Sequence, residues 1–310
     1  MKIAVLGNGA WGSGLAALAE RHGHKVALWG PPFAGKPSPS LPDALSGAEM
    51  VILAVPSHVM REVCADAKPH FPADAMLVSV AKGIELDTDC RMSEIIEAVS
   101  GRKEVAVLSG PSFASEVLKG LPTAVVCASA LEKVARKVQE TLSGEDFRIY
   151  TSHDVVGVEF GGALKNVMAI AAGACAGLGL GENALAAMIT RGVAELARVG
   201  TAFGGEAQTF FGLSGMGDLM LTCSSSQSRN YQVGEGLGRG KSLDEILRTL
   251  QGTAEGVKTA KSVRQLLQLR KLEAPILDEV YRLLYEGKTA RAALRDLMTR
   301  ELKKEVVLPE

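Results

Sequence analysis

The sequence predicts an α/β domain with a mainly parallel sheet, followed by an all-α domain. Short β-branched runs alternate with helical patterns over the first half of the chain, which is typical of strand-helix-strand units. From about Asp154 onward the strand-like runs end, and apolar residues recur at helical spacing, as in residues 243–250. We therefore place the two domains at residues 1–153 and 154–310, with the boundary in the polar segment Thr151–Asp154.

Seven apolar runs of the first half are predicted as strands of this sheet. They are Ile3–Leu6, Val26–Trp29, Met50–Val55, Met76–Val80, Val105–Leu108, Thr123–Cys127 and Phe147–Tyr150. Between the second and third runs, residues 30–42 contain five prolines. Proline lacks the N–H that a helix or a ladder strand needs, so this segment is predicted to be a stiff connector.

Composition and charge exclude several classes of protein. The 34 Lys and Arg residues balance 35 Asp and Glu residues, which argues against a chain that coats nucleic acid or an anionic membrane. Five cysteines without a CxxC pair argue against a disulfide scaffold and a zinc ribbon, and favour a reducing cytoplasm. The apolar run Met1–Leu6 is too short for a signal peptide. The uncharged segment Val167–Gly181 is shorter than a membrane span, so we expect a buried helix there and no membrane insertion.

A glycine-rich turn follows the first predicted strand. Gly7, Gly9 and Gly12 form a GxGxxG pattern that also contains Ala10 and Trp11 and leads into an Ala/Leu-rich helix. In such turns the first glycine permits a tight bend, the second lets a pyrophosphate approach the backbone, and the third lets the helix pack on the strand. The pattern predicts a Rossmann-like domain that binds NAD or NADP, the alternative being a packing turn without a ligand.

The sequence after the second strand does not decide between NAD and NADP. An acidic residue that binds the adenine ribose is expected about 20 residues after the glycines. Here Trp29 is followed by Gly30–Pro32, without Asp, Glu or Arg. Lys36 either contacts a 2′-phosphate or is a solvated lysine of the connector. Both cofactors therefore stay open.

Ligands of an open parallel sheet bind beyond the carboxyl ends of its strands. Lys82 follows the fourth predicted strand, and Gly110 and Ser112 follow the fifth. Exposed amides near Gly110 and Ser112 would suit an anion or a nicotinamide carboxamide. We expect Lys82 to polarise or anchor a substrate, with a solvated surface lysine as the alternative.

One lysine of the helical half stands among small and apolar residues. Lys165 lies in the sequence GGALKNVMA, where burial is expected to lower its pKa toward neutrality and to suit it for proton transfer. The alternative is a side chain that extends to solvent. Asp218, on a glycine-flanked turn, is expected either to orient this lysine or to cap a helix, and Thr222 shares its face if a helix follows.

The segment SSSQSRN ends in three potential phosphate donors, Ser228, Arg229 and Asn230. The planar guanidinium of arginine matches two phosphate oxygens, and its neighbours add further donors. After a dinucleotide-binding domain this segment predicts a phosphorylated substrate; on its own it would be a flexible polar loop. The histidines show no HExxH spacing and no GxSxG motif occurs, so we expect neither a metal site nor a serine nucleophile.

Taken in order along nearly the whole chain, these motifs resemble those of bacterial-type NAD(P)-dependent glycerol-3-phosphate dehydrogenases. The matching motifs are GNGAWG, VPSHV, AKGIE, SGPSFASEV, GGALKNVMAIAAG, RGVAEL, GMGDLMLTC and SRNYQVG. The resemblance implies reversible reduction of dihydroxyacetone phosphate to sn-glycerol 3-phosphate by NAD(P)H, for glycerophospholipid synthesis. It further implies a cytoplasmic homodimer.

The resemblance also implies roles for individual residues. Lys165 corresponds to the proton donor and acceptor, and we expect Asp218 and Lys82 to assist it. The implied substrate contacts are Lys82, Gly110, Ser112, Lys165, Asp218, Thr222, Ser228, Arg229 and Asn230. The cofactor contacts comprise residues of the glycine-rich turn and further residues that the resemblance implies. Those of the turn are Gly7, Gly9, Ala10, Trp11 and Gly12, and the others are Lys82, Ala114, Arg229, Thr253 and Glu255. Segment 30–42 is shorter than in the family, which leaves the contacts to the adenosine end open.

Two other functions stay open. A β-hydroxyacid or ketopantoate-type reductase has the same two-domain plan, but its substrates carry carboxylates; activity on glycerol 3-phosphate and not on 3-hydroxyacids separates the two. A dinucleotide-sensing regulatory module, whose helical half binds a protein partner, predicts cofactor binding without turnover.

Overall fold

The computed structural model describes residues 1–31, 38–302 and 304–305, which form two compact units. The first unit comprises Met1–Lys82 and Cys90–Val155, and the second comprises Gly83–Asp89 and Val156–Glu310. Part of the predicted connector 30–42, including Lys36, lies outside the described residues.

A single sheet of seven strands organises the described part of the first unit, and all seven predicted strands are confirmed. The strands are β1 (Lys2–Leu6), β2 (Lys25–Trp29), β3 (Met50–Leu53), β4 (Met76–Ser79), β5 (Val105–Ser109), β6 (Thr123–Ala128) and β7 (Phe147–Ser152). Their order is β2-β1-β3-β4-β5-β6-β7. Every neighbouring pair is parallel except β5 and β6, which confirms the predicted mainly parallel sheet.

Helices cover both faces of this sheet. They are α1 (Ala10–Arg21), α2 (Leu41–Leu45), α3 (Met60–Ala67), α4 (Met92–Ser100), α5 (Ala114–Leu118) and α6 (Glu132–Leu142). Successive residues of a strand point to opposite faces. Accordingly, Ile3 and Val5 of β1 pack with α1 and α6, whereas Ala4 and Leu6 pack with α3 and α4. With both faces buried, the loops after the carboxyl ends of the strands are left to carry a site.

The second unit is built from helices, as the sequence predicts. They are α7 (Val155–Gly177), α8 (Glu182–Ala202), α9 (Asp218–Cys223), α10 (Arg229–Gly238), α11 (Leu243–Thr249), α12 (Glu255–Arg270), α13 (Pro275–Tyr285) and α14 (Ala290–Met298). A π-helical turn at Leu213–Gly217 leads directly into α9.

Helix α7 is buried through most of its length. Among the helices of the described chain, it alone is long and apolar enough to cross a membrane, but 83% of its most apolar stretch is buried within the protein. The predicted buried helix at Val167–Gly181 is therefore confirmed in its burial over residues 167–174 and wrong beyond them, because residues 175–181 are partly or fully exposed and α7 stops at Gly177. Gly179 and Gly181 then take positive φ values of 71° and 79°, which turn the chain into α8.

Helices α7 and α10 touch through their backbones. A Cβ atom at Gly173 would overlap the carbonyl oxygen of Tyr231, and one at Gly234 would overlap the carbonyl oxygen of Ile170. Only glycine permits so close an approach. This contact holds the first residues of α10 beside the middle of α7, where Lys165 lies.

A buried carboxylate holds the start of α13. Glu195 of α8 is only 4% exposed, and its carboxylate accepts hydrogen bonds from the backbone N–H groups of Ile276 and Leu277 at 2.9 and 3.3 Å. These donors have no partner within their own helix, and the preceding Ala274 has no side chain that could cap them. Burial raises the pKa of Glu195 to about 7, although the two N–H donors oppose this effect.

We expect Glu195 to make the second unit less stable as the pH rises. The pKa is about 7 in the folded chain and 4.5 as the ordinary value, so its contribution is fully present below pH 4.5 and is lost through about pH 7. The loss amounts to about 3 kcal/mol in the free energy of unfolding. Denaturant unfolding of wild type and Glu195→Gln at several pH values measures it, with the exposed Glu182→Gln on the same helix as control. If the difference between wild type and Glu195→Gln is independent of pH, this account of Glu195 is wrong.

Candidate functional site

The glycine-rich turn connects β1 to α1 in the first unit. Gly7 has a φ of 118°, its N–H donates to the carbonyl oxygen of Trp29 at 2.8 Å, and a Cβ atom on it would overlap the carbonyl oxygen of Ala54. A Cβ atom at Gly12 would overlap the carbonyl oxygen of Gly7. At Gly9, by contrast, a Cβ atom would meet no atom within 4 Å. The first and third glycines are thus required by backbone packing, whereas the second faces open space.

The turn fits the pyrophosphate of a dinucleotide. Gly9 is the N-cap residue of α1, no side chain caps this helix, and its first turn has no acidic residue. Its first backbone N–H groups and the positive end of the helix dipole are therefore available to an anion. Within the described chain, the buried Nε1–H of Trp11 has no hydrogen-bond partner. Ala114 lies beside the same helix, since a Cβ atom at Gly14 would be 3.7 Å from its Cβ.

The residue after β2 cannot carry a side chain that reads the adenine ribose. A Cβ atom at Gly30 would overlap the side chain of Asn8, whose Nδ2 donates to the carbonyl oxygen of Pro31 at 2.5 Å. The backbone N–H of Gly30 donates to the Ser38 hydroxyl at 3.1 Å. The described residues at this end therefore offer neither the acid that favours NAD nor a cation that favours NADP.

Lys82, Gly110 and Ser112 meet at a single carbonyl oxygen. The Nζ of Lys82 and the hydroxyl of Ser112 each donate to the oxygen of Gly110 at 3.0 Å. Gly110 has a φ of 142°, and a Cβ atom on it would lie 2.9 Å from the Cα of Val125, so glycine is required here. The three residues that the sequence selected lie together, although the group on which they converge is a carbonyl oxygen rather than an amide nitrogen.

A buried ion pair joins α7 to α9 in the second unit. The Nζ of Lys165 lies 3.0 Å from Oδ1 of Asp218 and donates to the hydroxyl of Thr222 at 2.7 Å. The hydroxyl of Thr222 donates in turn to the backbone oxygen of Asp218 at 2.6 Å. Lys165 is 8% exposed and Asp218 is 1% exposed. The carboxylate therefore pairs with the ammonium group, and Asp218, the first residue of α9, does not cap that helix.

The location of this pair suits proton transfer. One helical turn before Lys165, α7 packs closely on the π-helical turn that precedes α9, because a Cβ atom at Gly161 would lie 2.6 Å from the carbonyl oxygen of Ser214. The carboxylate and the hydroxyl hold the ammonium group in one position, which preorganises it toward a reacting oxygen. At low dielectric such a charge acts more strongly than it would in water.

Arg229 is the exposed member of the predicted phosphate segment. It is the first residue of α10, and a Cβ atom at Gly252 would lie 3.3 Å from its Cζ, so the guanidinium group packs over Gly252. Within the described residues its side chain forms no hydrogen bond or ion pair. Arg229 thus places a cation at a helix N-terminus. The guanidinium charge and the helix N-terminus each favour the binding of a phosphate.

The two neighbours of Arg229 are engaged within the protein. The Ser228 hydroxyl caps α10 by accepting from the N–H of Tyr231 at 3.2 Å. The buried amide of Asn230 accepts from the N–H of Gly256 and donates to Asn166, both at 2.9 Å. The alternative of a flexible polar loop is therefore excluded from Ser228 onward, where α10 begins.

Three residues that contact Arg229 or Asn230 were not predicted from the sequence: Asn166, Gly252 and Gly256. Asn166 follows Lys165 directly, and the only sequence signal for it is an amide in a stretch of small and apolar residues. Gly252 and Gly256 flank the predicted cofactor contacts Thr253 and Glu255, which lie at the start of α12. A Cβ atom at Gly256 would overlap the carbonyl oxygen of Asn166. The start of α12 therefore touches the backbone of α7 next to Lys165.

Comparison with known proteins identifies one family over most of the chain. The model of the NAD-dependent glycerol-3-phosphate dehydrogenase N-terminus matches residues 2–32 and 36–135, and that of the C-terminus matches residues 154–295. Glycerol-3-phosphate dehydrogenase [NAD(P)+] of Syntrophotalea carbinolica is 46% identical over 99% of this chain and 100% of its own length. The same enzyme of Anaeromyxobacter sp. (strain K) is 47% identical over equal shares.

Solved structures agree with these relatives. Glycerol-3-phosphate dehydrogenase from Coxiella burnetii is 36% identical, with a TM-score of 0.91 over 96% of this chain and 99% of its own. A ketopantoate reductase from Ralstonia eutropha has a TM-score of 0.59 over 96% of this chain and all of its own, at 17% identity. At this low identity, the similarity to the ketopantoate reductase shows a shared fold alone. The shared fold explains why the sequence left a reductase of that type open as an alternative.

Proposed function

Because the chain belongs to the family of NAD-dependent glycerol-3-phosphate dehydrogenases, it is an NAD(P)-dependent oxidoreductase, and we propose how its residues reduce dihydroxyacetone phosphate to sn-glycerol 3-phosphate. The observation that carries the proposal is the buried Lys165–Asp218 pair, at 3.0 Å, in a unit that also presents Arg229, an exposed cation without an ion-pair partner among the described residues. Ketone reduction needs a proton donor, and a phosphorylated substrate needs an anchor.

NAD(P)H, when bound at the glycine-rich turn, supplies the hydride. The backbone N–H groups at the start of α1 hold its pyrophosphate, and the residues around Trp11 and Ala114 line this position. Thr253 and Glu255 are the further cofactor contacts of the proposal. The roles of the three glycines follow from the packing of the turn, which supports this location.

Lys165 donates a proton to the oxygen that becomes an alkoxide when the ketone is reduced. Asp218 stabilises the ammonium form before the transfer, and Thr222 fixes the direction of Nζ. In the reverse direction the neutral amine accepts the hydroxyl proton of glycerol 3-phosphate. Lys82, directed by the Gly110 oxygen and accompanied by Ser112, polarises or anchors the substrate.

The substrate phosphate binds at the start of α10. Arg229 offers two parallel N–H donors, and the first turn of the helix adds positive potential. Ser228 and Asn230 support this position through the helix cap and the contacts of their side chains inside the protein.

We expect Arg229→Ala to raise the KM for dihydroxyacetone phosphate by about 10- to 100-fold, because a charge-assisted hydrogen bond contributes about 1.5–3 kcal/mol. At saturating NADH, the rate with unphosphorylated dihydroxyacetone should change little. Steady-state kinetics with both substrates measure this, with the exposed Arg239→Ala at the other end of α10 as control. Equal losses on both substrates would contradict a phosphate contact.

The proposal is tested by initial rates with NADH and with NADPH on dihydroxyacetone phosphate and on 3-oxoacids. Turnover of the phosphate ester alone supports it and removes the hydroxyacid-reductase alternative. Cofactor binding without any turnover would support the regulatory alternative instead. The ratio of the NADH and NADPH rates measures the cofactor preference, which the described residues after β2 do not decide.

The cellular context is part of the proposal. A homodimer, a cytoplasmic location and the supply of glycerophospholipid synthesis are proposed on the resemblance to the family. Light scattering of the purified chain tests the first of these: twice the chain mass of 32.5 kDa is expected, and a single chain mass would contradict it.

A further inference from the structure

We propose that Asn166 is a positioning residue, which holds Arg229 and Glu255 through a relay of two buried side-chain amides. This amide relay consists of the Asn166 and Asn230 side chains, the carbonyl group of Gly162 and the N–H group of Gly256. The inference rests on the proposed function, because Arg229 and Glu255 act there as substrate and cofactor contacts. It assigns to Asn166 a role that is exerted through Arg229 and Glu255.

The amide relay is continuous from α7 to α12. Asn166 Nδ2 donates to the Gly162 oxygen at 3.3 Å, Asn230 Nδ2 donates to Asn166 Oδ1 at 2.9 Å, and the Gly256 N–H donates to Asn230 Oδ1 at 2.9 Å. Asn166 is 5% exposed and Asn230 is 7% exposed. Since water cannot readily replace a lost partner at such burial, each bond matters to its neighbours.

The two backbone groups at the ends fix the direction of the relay. A carbonyl oxygen can only accept and an N–H group can only donate. The oxygen of Asn230 must therefore face Gly256, its NH2 group must face Asn166, and the NH2 group of Asn166 must face Gly162. An amide at position 166 satisfies both of its neighbours, whereas an ionised carboxylate would present an acceptor to the oxygen of Gly162.

The relay ends on the residues that the proposed function uses. Glu255 and Gly256 are the first two residues of α12, and the N-cap residue Ala254 has no side chain that could cap this helix. Asn230 satisfies the N–H of Gly256 in its place, from the neighbouring helix α10. On α10, Arg229 directly precedes Asn230. Asn166 therefore fixes both helix starts relative to the helix that carries Lys165.

Glycine packing shows that these helix starts have little freedom of their own. A Cβ atom at Gly256 would overlap the backbone oxygen of Asn166 and would lie 2.9 Å from Asn230 Oδ1. Gly252, with a φ of 89°, leaves the space in which the Arg229 guanidinium lies. Without the side chain of Asn166, the NH2 group of Asn230 loses a partner inside this close packing, and the hydrogen bond that links both helix starts to α7 is lost.

We expect Asn166→Ala to raise the KM for dihydroxyacetone phosphate and the Kd for NADH by about tenfold each, the effect of one lost buried hydrogen bond. A merely structural role would lower the folded fraction, and so the apparent kcat, without changing KM or Kd. Steady-state kinetics and NADH fluorescence titration measure these quantities. The control is Asn183→Ala, which removes an exposed asparagine of α8.

Asn166→Asp distinguishes the relay from simple packing. Its side chain has nearly the same size, but it can donate to the Gly162 oxygen only when it is protonated. KM and Kd of this variant should approach the wild-type values as the pH is lowered and should rise as the pH increases, whereas those of Asn166→Ala relative to wild type should not depend on pH.

The outcomes separate this inference from the proposed function. Unchanged KM and Kd in Asn166→Ala overturn the inference even if the wild type reduces dihydroxyacetone phosphate. A wild type without this activity contradicts the proposed function, and the NADH titration then still decides whether Asn166 positions Glu255. A pH-independent Asn166→Asp variant with wild-type constants also overturns the inference.

Discussion

Lys165→Ala should lower kcat for dihydroxyacetone phosphate reduction by about 10²- to 10⁴-fold, the range in which a positioned general acid contributes. The Kd for NADH should stay within about threefold of the wild-type value, because the glycine-rich turn is unchanged. A threefold change in Kd is well below the tenfold change that 1.4 kcal/mol would cause. Rapid-mixing or steady-state assays of kcat, together with NADH fluorescence titration, measure both quantities. The reverse reaction should lose activity by a similar factor, since the same group accepts the proton.

Removal of this lysine also leaves the carboxylate of Asp218 buried without its counter-charge, so a loss of stability must be separated from a loss of catalysis. Wild-type helix content by circular dichroism, together with NADH binding at full stoichiometry, shows that both units of the variant are folded. The control is Lys258→Ala, which removes an exposed lysine of α12. A folded Lys165→Ala variant with wild-type kcat would contradict the role of Lys165.

Asp218→Asn should have the second large effect, on stability and on the pH dependence of the rate together. The backbone oxygen at position 218 still accepts from Thr222, but the Asn side chain carries no charge, so the Lys165 ammonium group is left buried without the Asp218 carboxylate. Removal of one partner of a buried pair costs about 3–5 kcal/mol. The ammonium group then loses its proton more readily, and the pH–rate profile of reduction should move to lower pH.

Denaturant unfolding and the pH–rate profile measure these effects, and Asp244→Asn, an exposed aspartate of α11, is the control. The two readouts test different steps of the argument. A stable variant with a shifted profile would mean that the cost of the unpaired charge is relieved by proton loss. An unshifted profile in a folded variant would show that Asp218 does not act on the proton donor.

The sheet half was predictable because its signals are local. Each buried strand is a short β-branched run, and the roles of Gly7, Gly9 and Gly12 follow from backbone geometry alone. The end of α7 was misjudged because Leu178 and Leu180 continue the apolar pattern, whereas the positive φ values of Gly179 and Gly181 break the helix. From the sequence alone, a glycine in an apolar run does not show whether the helix continues through it or ends at it.

The helical half was predictable in its chemistry and less so in its contacts. Lys165 stood out as a lysine among small and apolar residues, but its hydrogen bond to Thr222 joins residues 57 positions apart. Ser228 and Asn230 were selected from the sequence as polar neighbours of Arg229, yet their partners inside the protein depend on where α7 and α12 pack. Glu195 was missed because its partners are backbone N–H groups of α13. Asn166 was missed because its partners are the carbonyl oxygen of Gly162 and the side-chain amide of Asn230. Residue types along the chain do not reveal such partners.

The central claim is that a buried ammonium group at position 165, paired with Asp218, supplies the proton for ketone reduction. The most direct test is chemical rescue of Lys165→Ala by methylammonium, since the truncated side chain leaves space beside the Asp218 carboxylate for a small cation. The account predicts that the rate of dihydroxyacetone phosphate reduction rises with methylammonium concentration to a plateau, and that Asp218→Asn abolishes this rescue in the double variant. A folded Lys165→Ala variant that binds NADH and dihydroxyacetone phosphate but gains no rate at any amine concentration would contradict it.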